Sequence, residues 1–362
     1  MKDFIRAILN EESQRHDFDA DVLYENSPLI RYLDIKMGAI LGNTKSRRSL
    51  ASIYAIYSIL HFYKDTFFGK PNEYKEFGGY DYTSLFVFCR GLYGGGKLQN
   101  HALNSRVNGE FKNKVVSENG NDLIVINESK YTLHIDYLYV DSVDISKIAI
   151  KIIEKYIELL MLKDNKLIAN LEELIRMDSI SGKKDKISEL IDEQSEARIF
   201  EIISYSILKN HYRNIKVFFG YSREELQEQY LTLYKTGRTN ANDGGIDFVM
   251  RPIGRFFQVT EVNNYDKYLL DIDKVMHFPI TFVIKTLKPK QAILGELDFY
   301  IDQKSGGMRV IRERYNHAIE EIITINELKA WLDALDDQSV DELLQDINRY
   351  YRLELNLPMD NG

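Results

Sequence analysis

Cysteine is almost absent from this sequence, which has one, Cys89, in 362 residues. A single thiol excludes an internal disulfide framework and a cysteine-based zinc site. Long apolar runs are also missing, and without a run of about 18 apolar residues no membrane span is expected. Because Met1 to Phe4 begin a charged amphipathic segment and not a signal peptide, we expect a soluble cytoplasmic protein.

An excess of positive charge is lacking too, since the formal net charge at pH 7 is -8. A nucleic-acid-binding surface would therefore have to be a local basic patch and not a property of the whole chain. We find no internal repeat and no low-complexity tract. The length predicts two domains, or one domain with a large extension, and 44% hydrophobic residues can fill sizeable cores.

The stretch from Tyr234 to Val262 predicts a loop followed by a β-hairpin. Ile246–Met250 is short, apolar and rich in strand-forming residues, and Phe256–Val262 is the return strand. Arg251–Arg255 supplies the Pro and Gly of the turn between them. One carboxylate, Asp247, thus lies within an otherwise apolar strand.

A buried Asp between Ile and Phe is costly unless something compensates its charge. A divalent cation is the simplest compensation, because magnesium takes oxygen ligands from one or two carboxylates, waters and substrate phosphate. Gln258 and Thr260 share one face of the neighbouring strand, since side chains alternate along a strand. The alternative is that Asp247 ends its strand and caps a turn without binding a metal.

The run Asp-Gly-Gly-Ile-Asp, the hairpin and the following Gln-Val-x-Glu resemble the core motif of the PD-(D/E)XK nucleases. They are most similar to the Mrr-like branch and the type II restriction endonucleases that share it. The resemblance covers residues 190–325 and implies that Asp247 and Gln258 bind Mg2+. It also implies that a Lys two positions after Gln258 orients or activates water, and Thr260 occupies that position here.

Thr260 departs from the motif, because a hydroxyl carries no positive charge and is not a useful base near neutral pH. Another lysine, among Lys235, Lys267 and Lys285, would have to reach the site, or metal-bound water would have to suffice, or the domain binds without cutting. Glu261 replaces the amide ligand only if a bulge shifts the strand register.

The remaining order of elements from Ser195 onward predicts a mixed α/β (α+β) fold. Ser195–Leu208 has helical periodicity, and its Glu201 matches the helical Glu that the nuclease family carries near the metal, with a surface salt bridge as the alternative. The predicted sequence of elements is a strand (Ile215–Phe219), a polar helix (Arg223–Leu233), the Asp247 hairpin, a helix (Tyr265–Met276), a central strand (Ile280–Ile284), an edge strand (Leu297–Ile301) and some helix near Tyr315–Ile322. A mixed central sheet flanked by helices, as in restriction endonucleases, is the expected core.

We expect three parts: an N-terminal domain (1–165), the nuclease-like domain (190–325) and a C-terminal helical extension (326–362). The polar Ser181–Lys186 stretch is expected to be a solvated linker. The N-terminal domain is predicted to be mainly helical, with helices at 1–15, 28–41 and 144–162, a buried helix at 50–65, a hairpin at 122–141, and a strand or a buried helix at 83–93. The tail is predicted to hold helices at 326–335 and 339–353.

Two segments carry residue types that bind DNA. After a Gly-rich loop ending in Lys97, a helix over residues 98–111 would present Gln and Asn toward adenine edges and Arg toward guanine edges. The loop before the Asp247 strand is basic and polar and suits phosphate contacts. The candidate DNA-binding residues are Lys97, Gln99, Asn100, Asn104, Arg106, Lys235, Arg238 and Asn240. An ordinary surface helix and a plain solvent loop are the alternatives.

The function expected from these observations is that of a magnesium-dependent type II restriction endonuclease acting on double-stranded DNA. Its catalytic set would be Asp247, Gln258, Thr260 and Glu201, with Asp247, Gln258 and Glu201 as metal ligands. A homodimer would match a palindromic site, and a companion DNA methyltransferase would belong to the same system. The alternatives are a silent DNA-binding protein on a nuclease fold and a repair or transposition nuclease.

Overall fold

The structure is a computed structural model that describes residues 2–15, 18–38, 50–98, 105–116, 119–236, 246–260 and 265–355. The chain divides into two compact units, Met1–Lys166 and Leu167–Gly362. Both helices and strands are present, so the predicted mixed α/β class is confirmed. Along the described part of the chain, the search for a helix of membrane-crossing length and apolarity finds none.

The first unit is mainly helical. Its helices are α1 (Asp3–Ser13), α2 (Ala20–Asn26), α3 (Pro28–Met37), α4 (Leu50–Thr66), α5 (Pro71–Lys75), α6 (Tyr82–Gly91), α7 (Ser105–Lys114) and the first part of α8 (Ser146–Arg176), which continues into the second unit after Lys166. Its strands are β1 (Tyr80–Asp81), β2 (Ile124–Asn127), β3 (Lys130–Leu133), β4 (Tyr139–Val140) and β5 (Val143–Asp144). The order β1-β3-β2 forms one small sheet, and β4 pairs with β5.

Local sequence explains the elements of this unit. The apolar α4 is buried around its circumference, as its composition predicted. The hairpin of β2 and β3 turns at Glu128 and Ser129, whose φ angles of 46° and 67° suit a tight two-residue loop. The segment that composition left open between strand and helix is the helix α6.

The one cysteine lies inside this unit. Cys89 on α6 is buried, and its thiol donates a hydrogen bond to the carbonyl oxygen of Tyr54 at 3.2 Å. Burial raises the pKa of the Cys89 thiol to about 11. The thiol therefore stays protonated at neutral pH.

The second unit has a five-stranded sheet with helices on both faces. Its helices are α9 (Ile180–Leu190), α10 (Ala197–Tyr212), α11 (Tyr265–Lys274), α12 (Lys290–Lys304), α13 (Arg309–Ala318), α14 (Ile325–Asp333) and α15 (Asp337–Leu355). Its strands are β6 (Lys216–Phe219), β7 (Gln227–Tyr230), β8 (Thr232–Lys235), β9 (Phe248–Arg251), β10 (Arg255–Thr260), β11 (Ile280–Ile284) and β12 (Ile319–Ile323).

The large sheet has the order β12-β11-β10-β9-β8. Strands β8, β9 and β10 form an antiparallel meander, and β10, β11 and β12 run parallel. One face is covered by a core that α9, α10, α14 and α15 share, and the other by a core of α11, α12 and α13. We call these the α10 face and the α11 face. The tail helices α14 and α15 are thus part of the unit's core.

Three sequence predictions in this unit are wrong. Arg223–Leu233 is not a helix but a short 3-10 turn followed by β7 and β8, and its exposed polar residues gave no strand periodicity. Leu297–Ile301 is not an edge strand: with Ile293, its apolar residues recur every four positions and lie on α12. The predicted helix reaching Ile322 ends at Ala318, where β12 follows.

Two further segments differ from the expectation. Ile215–Phe219 was expected to be the first strand of the core sheet, yet β6 pairs with β7 in a separate hairpin. The first strand of the large sheet is β8. The expected linker Ser181–Lys186 lies within α9, where Lys183 is buried and pairs with Asp341 at 2.5 Å.

Candidate functional site

One edge of the large sheet gathers most of the residues that the sequence singled out. Lys235, the last residue of β8, pairs with Phe248, the first residue of β9, and Thr260 at the end of β10 pairs with Ile284 at the end of β11. The carboxyl ends of β8, β10 and β11 and the start of β9 therefore lie together. We call this the carboxyl edge, the position where open α/β sheets commonly bind ligands.

Asp247 is fixed at the carboxyl edge directly before β9. Its carboxylate accepts a hydrogen bond from the backbone N–H of Val259 at 2.7 Å, and its own N–H donates to the carbonyl of Phe257 at 3.0 Å. The backbone N–H of Thr236 donates a hydrogen bond to the backbone carbonyl of Asp247 at 3.0 Å. The Asp247 carboxylate therefore lies against β10 at Val259, the residue that follows the predicted amide ligand Gln258.

Gln258 is buried, with 7% of its surface exposed. Its Nε2 donates to the carbonyl of Val259 at 3.3 Å, whereas its Oε1 has no hydrogen-bond partner among the described residues. An amide oxygen without a partner is unfavourable in a protein interior. It is also an available ligand for a hard cation.

Thr260, at the position of the motif lysine, is also buried, and its hydroxyl makes no hydrogen bond of normal geometry within the described ranges. The same holds for the Tyr268 hydroxyl and one oxygen of Asp271 on α11. The Tyr268 ring contacts Phe282, the residue that pairs with Gln258, at a centroid distance of 4.9 Å. Burial is the main cause that raises the pKa of Tyr268, although the Thr260 side chain is near enough to the Tyr268 hydroxyl to offset part of that rise.

The charged residues at the edge lie on the other face of the sheet. Glu201 on α10 pairs with Lys235 at 2.8 Å, and their side chains are only 9% and 13% exposed. Lys235 shares the α10 face with Leu233, two positions earlier on β8. The pair is therefore shielded from water, where breaking it would be costly.

Lys285 directly follows β11 and is 7% exposed. Its backbone N–H donates to the carbonyl of Thr260 at 3.0 Å, so it continues the parallel ladder one residue beyond that threonine. Its Nζ donates to the carbonyl of Ser195, just before α10, at 3.0 Å. The amino group therefore lies on the α10 face of the carboxyl edge.

The structure thus divides the predicted catalytic set between the two faces. Phe257 and Val259 of β10 pack in the α10-face core, so Gln258 and Thr260, which alternate with them, lie on the α11 face. Asp247 contacts β10 at Val259, one residue after Gln258, whereas Glu201 lies across the sheet from Gln258. Within the described ranges, no group of three or more His, Cys, Asp or Glu side chains is arranged to hold a metal ion.

The other candidates are distributed as follows. Arg106 on α7 is 69% exposed and pairs with Glu110 at 3.3 Å, and Lys267 is exposed on α11. Lys97 ends a 3-10 turn over Gly95–Lys97, and its side chain is outside the described part. The predicted residues outside the described ranges are Gln99, Asn100, Asn104, Arg238, Asn240 and Glu261.

Two partnerships at the edge were not predicted. The pairing of Glu201 with Lys235 depends on β8, which the sequence analysis had assigned to a helix. A second carboxylate, Glu193, accepts hydrogen bonds from the Thr286 hydroxyl at 3.0 Å and the Leu287 N–H at 2.9 Å. The sequence signal for this region was the lysine directly after a strand in which four of five residues are apolar.

Comparison with known proteins gives no further guide to the function of this edge. The chain matches no protein-family model, no curated protein and no solved structure.

Proposed function

We propose that this chain is a magnesium-dependent endonuclease that hydrolyses phosphodiester bonds of double-stranded DNA, specifically a type II restriction endonuclease. The observation that carries the proposal is the position of Asp247, whose carboxylate accepts a hydrogen bond from the backbone N–H of Val259, directly after Gln258, while Gln258 Oε1 has no hydrogen-bond partner among the described residues. The order of α10, the β8–β10 meander, α11 and the parallel β11 is also the order expected from the motif resemblance.

Asp247 and Gln258 would hold the Mg2+ ion. Magnesium is commonly bound by one or two protein oxygens, with waters and substrate phosphate completing its octahedral shell. The pair fits this pattern and needs no three-carboxylate cluster. When bound, the ion supplies an acidified water and neutralises charge on the phosphate. Glu201 would join this set only after releasing Lys235, so we assign it to positioning that lysine.

Lys285 is the lysine that would replace the missing motif residue, and it would have to leave the Ser195 carbonyl to do so, because its ammonium group lies on the α10 face and Thr260 on the α11 face. Its backbone N–H donates a hydrogen bond to the Thr260 carbonyl. Lys235 is held by Glu201, and Lys267 is exposed on α11. An ammonium group at this edge stabilises the negative charge that develops on a phosphate during hydrolysis.

The proposal includes partners. The first unit would read the DNA sequence, and a homodimer would place two sites on the two strands of a palindrome, because protein symmetry mirrors site symmetry. A companion DNA methyltransferase would protect the cell's own DNA, as a functional partner and not as a subunit.

DNA cleavage with an isosteric variant tests this function. Purified protein is incubated with phage DNA and Mg2+, beside Asp247→Asn and a matched control, Asp185→Asn, on the exposed side of α9. We expect discrete fragments from the wild type and the control, and a loss of at least about a thousandfold in rate from Asp247→Asn. Equal cleavage by Asp247→Asn would contradict the proposed site.

The buried Thr260 hydroxyl at the lysine position favours a second candidate, a DNA-binding protein that does not cut. Failure of the wild type to cleave with either magnesium or manganese, combined with tight binding of the same DNA in a mobility-shift assay, would favour it. Sequence-specific fragments would exclude it and would also exclude a repair nuclease, which needs no recognition site.

A further inference from the structure

A two-stranded hairpin of the second unit stands apart from the large sheet. Strands β6 and β7 pair antiparallel, from Lys216 opposite Tyr230 to Phe219 opposite Gln227. Along the described chain, each of the two strands pairs with no other strand. We call residues 216–230 the arm.

The arm extends from the sheet in the direction away from the carboxyl edge. Its second strand, β7, leads through Leu231 into β8, and β8 reaches the carboxyl edge at its last residue, Lys235. The chain therefore enters β8 from the opposite edge. The turn around Tyr221 is the part of the arm most distant from Asp247 along this path.

Large apolar side chains of the arm are exposed. Their exposed fractions are 74% for Phe218, 93% for Tyr221, 50% for Leu226 and 55% for Tyr230. A lone two-stranded hairpin is marginally stable in water, and a cluster of exposed aromatics marks an interaction surface. The arm thus offers a partner two things to cover: the backbone N–H and C=O groups along the outer edge of a strand, and exposed apolar side chains.

The charges of the arm argue against a nucleic-acid partner. Lys216 and Arg223 supply two positive charges, whereas Glu224, Glu225 and Glu228 supply three negative ones. Lys216 is already paired with Glu228 at 2.7 Å. Nucleic-acid binding depends on an excess of Lys and Arg, which this surface lacks. A nearly neutral apolar surface is better suited to another protein.

We infer that the arm is the surface on which a second copy of this chain docks. The free edge of β6 can pair with β6 of another copy, because an isologous contact joins one surface to itself. Antiparallel pairing centred on Phe218 sets Lys216 opposite Gly220 and not opposite another lysine. Like charges are therefore kept apart across the two-fold axis.

The area available is at the lower end of that of stable dimers. Each buried aromatic side chain covers about 150–250 Å², so Phe218 on β6 and Tyr221 just after it, with the strand backbone, bury on the order of 500 Å² per copy. Standard interfaces bury about 800 Å² per partner, and Tyr230 lies on β7, away from the pairing edge. This inference names the surface of the homodimer that the proposed function includes and rests on it in that respect, and it needs no DNA cleavage.

Sedimentation velocity of the full chain over a wide concentration range tests the inference. The variants are Phe218→Glu, Tyr221→Glu at the tip of the arm, and a matched control, Phe299→Glu, which is 65% exposed on α12. We expect the wild type and the control to dimerise, and each arm variant to raise the dissociation constant by at least about 30-fold, as for an interface hot spot.

Two results would overturn it: a wild type that stays monomeric at the highest concentration, or arm variants that dimerise as the wild type does. If Phe218→Glu misfolds, Tyr221→Glu still tests the inference, because the Tyr221 side chain lies almost wholly in solvent and its replacement should not disturb folding. The cleavage assay with Asp247→Asn is read separately, so failure of one proposal leaves the other standing.

Discussion

The two faces of the sheet at the carboxyl edge satisfy their polar groups in opposite ways. On the α10 face the buried charges are partnered, as Glu201 with Lys235 and Lys285 with the Ser195 carbonyl show. On the α11 face the buried Oε1 of Gln258 has no hydrogen-bond partner in the described part of the chain, and the buried Thr260 hydroxyl lies near that of Tyr268 without normal hydrogen-bond geometry. The two sets of side chains lie on opposite faces of the same β-sheet.

This difference indicates two physical roles. A buried ion pair is costly to break, so the α10 face fixes the end of β8 relative to α10. A buried oxygen without a partner lowers stability and is retained where something else uses it. The α11 face is therefore the side on which a bound cation or water would add stability. Four predictions test the contrast, in order of decreasing effect.

The largest effect is expected from breaking the ion pair on the α10 face. Glu201→Ala leaves the Lys235 ammonium buried without its partner, and we expect the free energy of unfolding to fall by about 3–5 kcal/mol. Urea denaturation measures the change. The double variant Glu201→Leu with Lys235→Met should recover most of the loss. A single variant as stable as the wild type would show that the pair is solvated.

On the α11 face, Gln258→Leu should behave differently. The change removes an amide whose oxygen is unpartnered and keeps the volume close, so we expect stability without metal to change by no more than about 1.5 kcal/mol. The readout that matters is Mg2+-dependent stabilisation, measured as the shift in melting temperature on adding the ion. That shift should be lost in Gln258→Leu and kept in the Asp185→Asn control.

Thr260→Val sharpens the contrast further, because valine has nearly the shape of threonine and lacks the hydroxyl. Since the Thr260 hydroxyl lies near the Tyr268 hydroxyl without a hydrogen bond of normal geometry in the described ranges, its removal should change the free energy of unfolding by no more than about 1 kcal/mol. Chemical denaturation of both proteins in parallel measures this. A larger loss of stability would reveal a hydrogen bond from Thr260 to water or to a ligand.

The smallest effect concerns the far end of α10. Burial lowers the pKa of His211, whose ring stacks on Trp331, the single tryptophan, at 4.0 Å. The neutral imidazole is thus the form favoured by folding, so its contribution is present above the unfolded pKa and is lost as the pH falls through the folded value. Stability should therefore decline slightly on acidification below about pH 6.5.

Tryptophan fluorescence follows the protonation of His211 directly, because the imidazole ring that titrates is in contact with Trp331. We expect an inflection below the ordinary histidine pKa and its disappearance in His211→Asn. An inflection at or above the ordinary value would mean that the ring is solvated.

Much of the fold follows from local sequence. Ile280–Ile284 is predicted to be a buried strand because four of its five residues are apolar, and all five are buried in β11. The arm could not be predicted in the same way, since its β7 is exposed along its whole length and has no alternation of apolar residues. Leu297–Ile301 was misread because a five-residue window does not include Ile293 one turn earlier.

The site was less accessible to sequence reasoning than the fold. The sequence predicted Asp247 inside its strand, whereas in the structure Asp247 directly precedes β9. The division of Glu201 and Gln258 between two faces depends on which helix covers which side of the sheet, and no local pattern records that. The same is true of Lys285, whose contact with Ser195 joins residues 90 positions apart.

The buried thiol has a practical consequence for spectroscopy. Cys89 has a pKa of about 11, and its thiol donates a hydrogen bond to the Tyr54 carbonyl. Almost no thiolate is therefore present at neutral pH to react with alkylating reagents. A cysteine introduced at an exposed position can therefore be labelled with a fluorophore or a spin label while Cys89 is left in place. Distances between such labels would report on the arms of two copies in solution, without any change to the packing around α6.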